Sequence, residues 1–401
     1  MTLNFALLKL PGMKRLLAGY GLSVIADTSV YIVFAIWAKQ LTGSTSDAGL
    51  VFFCFIIPSL ISPLTGNTID SLRKDGIIVF TNLFMAASIL TLQFAHEKYQ
   101  FICLLTSAFI YGLGYVVFNS ARVCLVVNNY EEKYIGEINA VLRTFRETLR
   151  LTAPLLGVYL YTSFGSHFFV WFVSISLIIS AVLFINLEVK KSPLSQQMRI
   201  SAFSFNGLMD GAKGLWRFPL IRSCVLCLSV TLLVAGFYEM ILFSILEHLN
   251  RPLSVIGQLI SAQGAGAVLG GILSIRLIKT MLPELLILGG FFIQALGIAG
   301  LFASEISLIY LSCATFGFGV PLSMVGLDTL IQTKLPVAIQ GRANTSLEAI
   351  TSIPFSLSFL ISSLMTSFIA YKIILWCMVT GTVLAAVLLA FAVRKASLPV
   401  R

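Results

Sequence analysis

Charge is what this sequence lacks most. Asp, Glu, Lys and Arg make up 11% of its 401 residues, against roughly 25% in an ordinary soluble protein. So few charges cannot cover the surface of a water-soluble globule, and the 58% of hydrophobic residues excludes a disordered chain. Cysteine is sparse as well. The seven are Cys54, Cys103, Cys124, Cys224, Cys227, Cys313 and Cys377, almost all within apolar runs. None has a His or acidic residue at metal-ligand spacing, and Cys224-x-x-Cys227 opens an apolar run, so packing is their expected role and no metal site is implied. The three histidines, His96, His167 and His248, are scattered near the ends of apolar runs. A Gly-rich phosphate loop is missing, which leaves ATP-driven work by this chain unsupported. A catalytic constellation is missing too, so the chain does not read as an enzyme, and no cofactor is implied.

What the sequence does have is hydrophobic length, with a mean hydropathy of +0.95. A membrane-crossing helix needs about 20 apolar residues. Apolar runs separated by polar breaks predict twelve such spans, at roughly 16–38, 49–69, 76–95, 100–120, 138–162, 166–188, 218–246, 253–275, 284–303, 306–331, 343–369 and 372–393. The fold class is therefore an all-α polytopic membrane protein, and the lipid bilayer is its first partner. Lys9, Lys14 and Arg15 precede a first run too long for a signal peptide, so that run is expected to stay as a span.

The net charge of +10 is spread through short loops and not gathered on a soluble domain, which argues against nucleic acid. Counted by side, the N-terminus, even-numbered loops and C-tail hold nineteen basic residues: Lys9, Lys14, Arg15, Arg73, Lys74, Arg122, Lys133, Lys190, Lys191, Arg199, Lys213, Arg217, Arg276, Lys279, Lys334, Arg342, Arg394, Lys395 and Arg401. The odd-numbered loops hold four: Lys39, Lys98, Arg251 and Lys372. Cytoplasmic loops concentrate Lys and Arg, so this asymmetry predicts an inner-membrane protein with both termini in the cytoplasm.

Residues 189–217 form the longest hydrophilic stretch, with a Ser192-Pro193 break and an amphipathic segment around Phe203 to Trp216. They read as a cytoplasmic linker between an N-terminal half, 1–188, and a C-terminal half, 218–401. An internal repeat supports that division. A shift of 205 positions aligns Gly66 with Gly271, Lys74 with Lys279, Gly112 with Gly317, Gly114 with Gly319, Gly136 with Gly341 and Asn139 with Asn344. One ungapped register serving spans 2 to 5 and 8 to 11 points to a parallel duplication of six helices.

Gly66-Asn-Thr-Ile-Asp70-Ser-Leu-Arg73-Lys74 between spans 2 and 3 resembles the loop motif of the major facilitator superfamily, Gly-x-x-x-Asp-Arg/Lys-x-Gly-Arg/Lys-Arg/Lys. Gly66, Asp70 and Lys74 match. Ser71, Arg73 and Asp75 depart from the pattern. The resemblance implies a gate: Gly66 permits close helix approach, and Asp70 sits against the positive end of a neighbouring helix. Ala153-Pro154-Leu-Leu-Gly157 in span 5 is similar to the Gly-Pro-x-x-Gly segment of the superfamily's exporting antiporters, with Ala153 in place of glycine. Pro154 and Gly157 would form a closing seam. Gly317-x-Gly-Val-Pro321, Gln340-Gly341-Arg342 and Phe118-Asn-Ser-Ala-Arg122 resemble the branch containing macrolide exporters and a catecholate siderophore exporter.

Ionisable residues at membrane depth are site candidates because each costs at least about 2.5–3.5 kcal/mol there. Asp27 lies midway along span 1, with no basic residue within a helical turn. Desolvation penalises a carboxylate at that depth, which suits a proton carrier. Glu239 occupies a similar place in span 7, within Phe237-Tyr238-Glu239-Met240. Glu348 and Asp328 lie nearer the cytoplasmic ends of spans 11 and 10. Span 5 carries Arg143, Arg146, Glu147 and Arg150 on one face, and Pro154 and Gly157 continue the stripe. Glu147 can neutralise one arginine. The surplus either recognises carboxylate or catecholate oxygens through bidentate donors or pairs with Asp27, Glu239 or Glu348.

Together these features predict a secondary active transporter of a small organic solute, working by alternating access around a central cavity as a monomer. Export driven by the proton gradient is the first reading, with a siderophore, secondary metabolite or drug as cargo. Import or uniport of a small organic anion is the alternative. Asp27 and Glu239 would couple the proton. Arg146, Arg150, Glu147, Tyr31, Phe34, Trp37, Tyr238 and Gln263 would contact cargo. Gly66, Asp70, Lys74, Pro154 and Gly157 would gate.

Overall fold

The computed structural model describes residues 9–61, 73–187, 205–366 and 368–397. Its helices are α1 (Met13–Thr42), α2 (Thr45–Ile56), α3 (Lys74–Leu90), α4 (Gln100–Asn129), α5 (Glu132–Phe184) and α6 (Phe205–Arg217). They continue as α7 (Pro219–His248), α8 (Val255–Leu277), α9 (Pro283–Gly300), α10 (Ile306–Lys334), α11 (Val337–Thr366) and α12 (Tyr371–Ser397). Among the described residues ten helices are long and apolar enough to cross a membrane. One of them lies in α5, whose backbone breaks at Gly165 (φ 83°, ψ 175°), so α5 holds two spans in one element. The shorter apolar stretch Thr45–Leu60 completes the twelve.

α6 is not a span. Its apolar Leu208, Met209, Leu215 and Trp216 are interleaved with Asp210, Lys213 and Arg217, the pattern of an interfacial helix. Leu215 is fully buried while Lys213 and Arg217 are exposed. On the spans, large apolar side chains face outward, among them Phe80, Trp171, Trp376 and Phe391. Such a surface suits hydrocarbon. In hydrocarbon backbone polar groups must be paired within the segment, which is what a helix does along most of its length.

The chain divides into two compact units, Met1–Phe205 and Asn206–Arg401. In unit 1, α1 packs along α5, α3 packs on α4 and α5, and α2 packs on α1 and α4. In unit 2, α7 packs on α11 and α12, α9 on α10 and α12, and α8 on α10. Except for the α1–α2 pairing, which is much weaker between α7 and α8, these are the same pairings, so the sequence repeat is largely a repeat of packing.

Two glycines show how the repeat is built. A Cβ on Gly112 would stand 2.1 Å from the Phe55 carbonyl oxygen, and one on Gly317 would stand 1.9 Å from that of Gln263. In both units the fourth span thus meets the second backbone to backbone. Likewise a Cβ on Gly114 would meet Met85 at 2.4 Å and one on Gly319 would meet the Gly290 carbonyl at 2.6 Å. Met85 and Gly290 stand in the same 205-residue register as the glycines they face. Apolar surface alone does not drive helices together in lipid, so small residues that allow such approach do.

Hydrogen bonds tie unit 1 further. Asn82 on α3 donates its amide to the Ser180 hydroxyl on α5 at 3.0 Å, and Ser180 donates to the Gly19 carbonyl on α1 at 2.8 Å. Below them Met13, Leu16, Tyr20, Phe118, Leu142 and Phe184 form one buried cluster. Unit 2 has its counterpart in Leu215, Val225, Ile287, Phe291, Leu327 and Leu330.

Several expected boundaries move. Span 2 was placed from 49, but α2 starts at Thr45, because the Ser44 hydroxyl caps it by accepting from the Asp47 N–H at 3.4 Å. Lys39 is no loop residue: it closes α1 and donates to the Thr45 hydroxyl at 2.8 Å. Arg122 is no loop residue either, since α4 runs on to Asn129.

Candidate functional site

Asp27 lies midway along α1, 9% exposed, and its Oδ1 accepts a hydrogen bond from the Tyr111 hydroxyl on α4 at 2.7 Å. Tyr111 is fully buried and stacks on Phe55, with ring centroids 5.6 Å apart. Phe55 also touches Tyr31 at 5.4 Å and Tyr115 at 6.2 Å, while Tyr31 leans on Phe52 at 4.5 Å. The carboxylate is therefore set beside an aromatic wall built by α1, α2 and α4. Tyr31, one turn beyond Asp27, belongs to that wall and stays half-buried.

The basic stripe enters from α5. Arg150 is exposed, and its charge acts on Asp27 and on Tyr115. Along α1 no cation lies within a helical turn of Asp27, and the charge that reaches it is that of Arg150 on α5. Arg146, half-buried, lines a pocket of about 220 Å³ together with Tyr20, Arg122, Asn139 and Leu142. The side chains of Arg143, Glu147 and Glu348 lie outside the described residues.

Pro154 and Gly157 sit where α5 crosses α1. A Cβ on Gly157 would stand 2.6 Å from that of Ser29, and the Ser29 hydroxyl donates to the Ala153 carbonyl at 3.2 Å. The expected seam thus lies two residues from Asp27 along α1. Of the other gate residues, Gly66 and Asp70 lie outside the described residues, and Lys74 opens α3 with its side chain buried. Arg73 and Asp75, which depart from the family pattern, form a local pair. Arg73 donates Nε at 3.2 Å and Nη2 at 2.8 Å to the Asp75 carboxylate, which also accepts from the Gly76 N–H at 2.8 Å.

Phe34 and Trp37 are packing residues. Phe34 has no exposed surface, and Trp37, 4% exposed, packs between Phe34 and Tyr161. In unit 2, Tyr238 is buried and stacks on Phe316 at 4.0 Å. Glu239, Gln263 and Asp328 are half-buried on α7, α8 and α10. Tyr111 and Arg122 are the residues that sequence reasoning did not assign. Tyr111 directly precedes Gly112 of the repeat, with Phe316 in the matching position, and a hydroxyl beside two close-packing glycines was the available signal.

The major facilitator superfamily's sequence profile matches residues 16–357. The chain belongs to that superfamily. An uncharacterized MFS-type transporter of Bacillus subtilis, YvqJ, is 22% identical over 331 residues, covering 78% of this chain and 75% of the relative. A bacterial homologue of the iron transporter ferroportin, in its inward-facing state, superposes with a TM-score of 0.74 at 15% identity, covering 95% of this chain and 98% of that one. The nucleoside transporter NupG gives 0.73 at 13% identity, covering 96% and 99%. At such identities the superfamily's solved structures establish the shared fold. The chain is accordingly a multi-pass membrane transporter of the superfamily.

Proposed function

We propose that the chain is a proton-coupled exporter of an organic solute at the inner membrane, with both termini cytoplasmic. It works as a monomer by alternating access and draws on the proton gradient without a cofactor. The carrying observation is the buried Asp27 carboxylate, bonded to Tyr111 and set two residues from the Ser29–Gly157 contact. A proton site next to a seam between two helices can be loaded and unloaded as that seam opens and closes. Glu239 is the second proton carrier. Arg146 and Arg150 face the cargo, with Tyr31 as the aromatic contact. Gly66, Asp70 and Lys74 gate the cytoplasmic end, and Pro154 with Gly157 closes the seam. The surplus of arginine favours an acidic cargo, such as a siderophore or secondary metabolite, over a cationic drug.

One observation favours a second reading. If an anionic cargo takes the Arg150 charge that acts on Asp27, protonating Asp27 frees that cation for cargo, so proton and anion travel together. That is symport, and with an inward proton gradient it is import. Vesicles with an imposed pH gradient and a panel of acidic, neutral and cationic solutes separate the two. Accumulation in inverted vesicles with an acidic lumen supports export by antiport. Accumulation in right-side-out vesicles under external acid overturns it in favour of symport.

A further inference from the structure

We propose that the pocket between α1, α4 and α5 is an oxyanion subsite that takes a carboxylate or phosphate group of a soluble acidic solute, with Arg122 and Arg146 as its donors. This deepens the acidic-cargo reading and rests on it. The pocket, about 220 Å³, is lined by Tyr20, Arg122, Asn139, Leu142 and Arg146. Pockets for whole drug-sized molecules begin near about 300 Å³, so this one suits a headgroup and not an entire solute.

Arg122 is the telling residue. It is 9% exposed, and its guanidinium stands 4.8 Å from the centre of the Tyr20 ring. Its Nε, buried, has no hydrogen-bond partner. The groups whose charges act on it are Tyr20, Arg146 and Tyr115, with no carboxylate among those of the described residues. A buried guanidinium beside a second cation is costly unless an anion joins them. Tyr20 packs its ring against the Arg122 guanidinium, and the buried Nε–H is left for an acceptor.

The repeat shows that the fold itself does not require these charges. In the 205-residue register, Tyr20, Arg122, Leu142 and Arg146 correspond to Val225, Leu327, Leu347 and Thr351. Val225 and Leu327 belong to the apolar cluster of unit 2, and Leu347 packs against it. Tyr20 and Leu142 belong to the matching cluster of unit 1. The same place in the duplicated architecture thus carries uncharged side chains in one unit, aliphatic except for Asn344 and Thr351, and two arginines in the other.

The repeat also supplies the test variants, Arg122→Leu and Arg146→Thr, each a residue that unit 2 already accommodates at that place. The full chain in phosphatidylcholine nanodiscs is titrated with citrate and with inorganic phosphate, without any gradient, and its melting temperature is followed. Saturable citrate or phosphate binding that raises the melting temperature is expected in the native chain. Each variant should bind at least tenfold more weakly, while Arg251→Gln, an exposed cation between α7 and α8, should bind as the native chain does. Should a variant fold poorly, Asn139→Leu at the pocket rim gives the same comparison. Equal affinity in native and variant chains, or no saturable binding by the native chain, overturns the subsite. So does binding found only as retention of phosphatidylglycerol in nanodiscs containing it, since the anion is then a lipid headgroup. Citrate or phosphate binding by the native chain, weakened in the variants, with no transport of acidic solutes in vesicles counts against the exporter alone.

Discussion

Asp27 and Tyr111 stand 84 positions apart and meet at 2.7 Å inside unit 1. Asp27→Asn keeps an oxygen to accept that bond but cannot cycle a proton. We expect the variant to fold and to exchange cargo downhill, and to lose accumulation against a gradient. Accumulation at the native rate, measured in vesicles with an imposed pH gradient, rules Asp27 out as the coupling residue. Tyr111→Phe removes the donor and leaves a buried carboxylate short of one bond. The expected cost is about 1–3 kcal/mol, read as a lower melting temperature with the aromatic stack on Phe55 retained. Asp27 was legible in the sequence because an isolated acid in an apolar run stands out on its own. Its partner was not, because hydrogen bonding between helices is decided by packing that no local pattern carries. Arg122 was missed for a related reason. At the end of an apolar run it looks like a loop cation, and only the continuation of α4 to Asn129 brings it inside.

The helices themselves were read from hydrophobic length, and most appear where a run of about 20 apolar residues stands. Their ends were less legible, since caps and polar final turns extend a helix beyond its apolar run, as Ser44 does for α2 and Lys39 for α1. Spans 5 and 6 appear as one continuous element because Gly165 alone bends the chain between them. The glycine register was visible in the sequence, and the structure gives it a physical meaning that can be tested by adding one methyl group. Gly112→Ala would put a carbon 2.1 Å from the Phe55 carbonyl oxygen, a backbone atom that cannot swing aside. Overpacking of this kind costs about 1–3 kcal/mol. Gly289, also within a helix, has nothing within 4 Å of where its Cβ would stand. Gly289→Ala should therefore stabilise by about 0.5–1 kcal/mol, the usual gain of alanine over glycine in a helix. Melting of the two variants in one detergent decides the matter. Equal effects would mean that the backbone contact at Gly112 carries no weight.

At the scale of the whole molecule, the number of crossings and the charge asymmetry together predict an orientation. The loop around Arg251 joins α7 to α8, and from there to the end of the chain the polypeptide runs through α8, α9, α10, α11 and α12. If all five cross, Arg251 and the C-terminal end of α12 lie on opposite faces of the membrane, whichever face is which. Charge decides between the two arrangements. Counted from the sequence, the termini and loops on the side of α12's C-terminal end hold nineteen basic residues and the loops on the Arg251 side four, or eighteen against three once Arg122 and Lys39 are set aside as helix residues. Lys and Arg near span ends resist translocation, so the Arg401 side should be cytoplasmic. Reporter fusions measure both statements at once. A fluorescent protein joined after Arg401 should fluoresce, and an alkaline phosphatase joined there should be inactive. The phosphatase joined after Arg251 should be active. If both junctions report the same face, one of the five helices does not cross, and the span assignment fails. If the two faces are exchanged, the crossings stand but the charge rule fails.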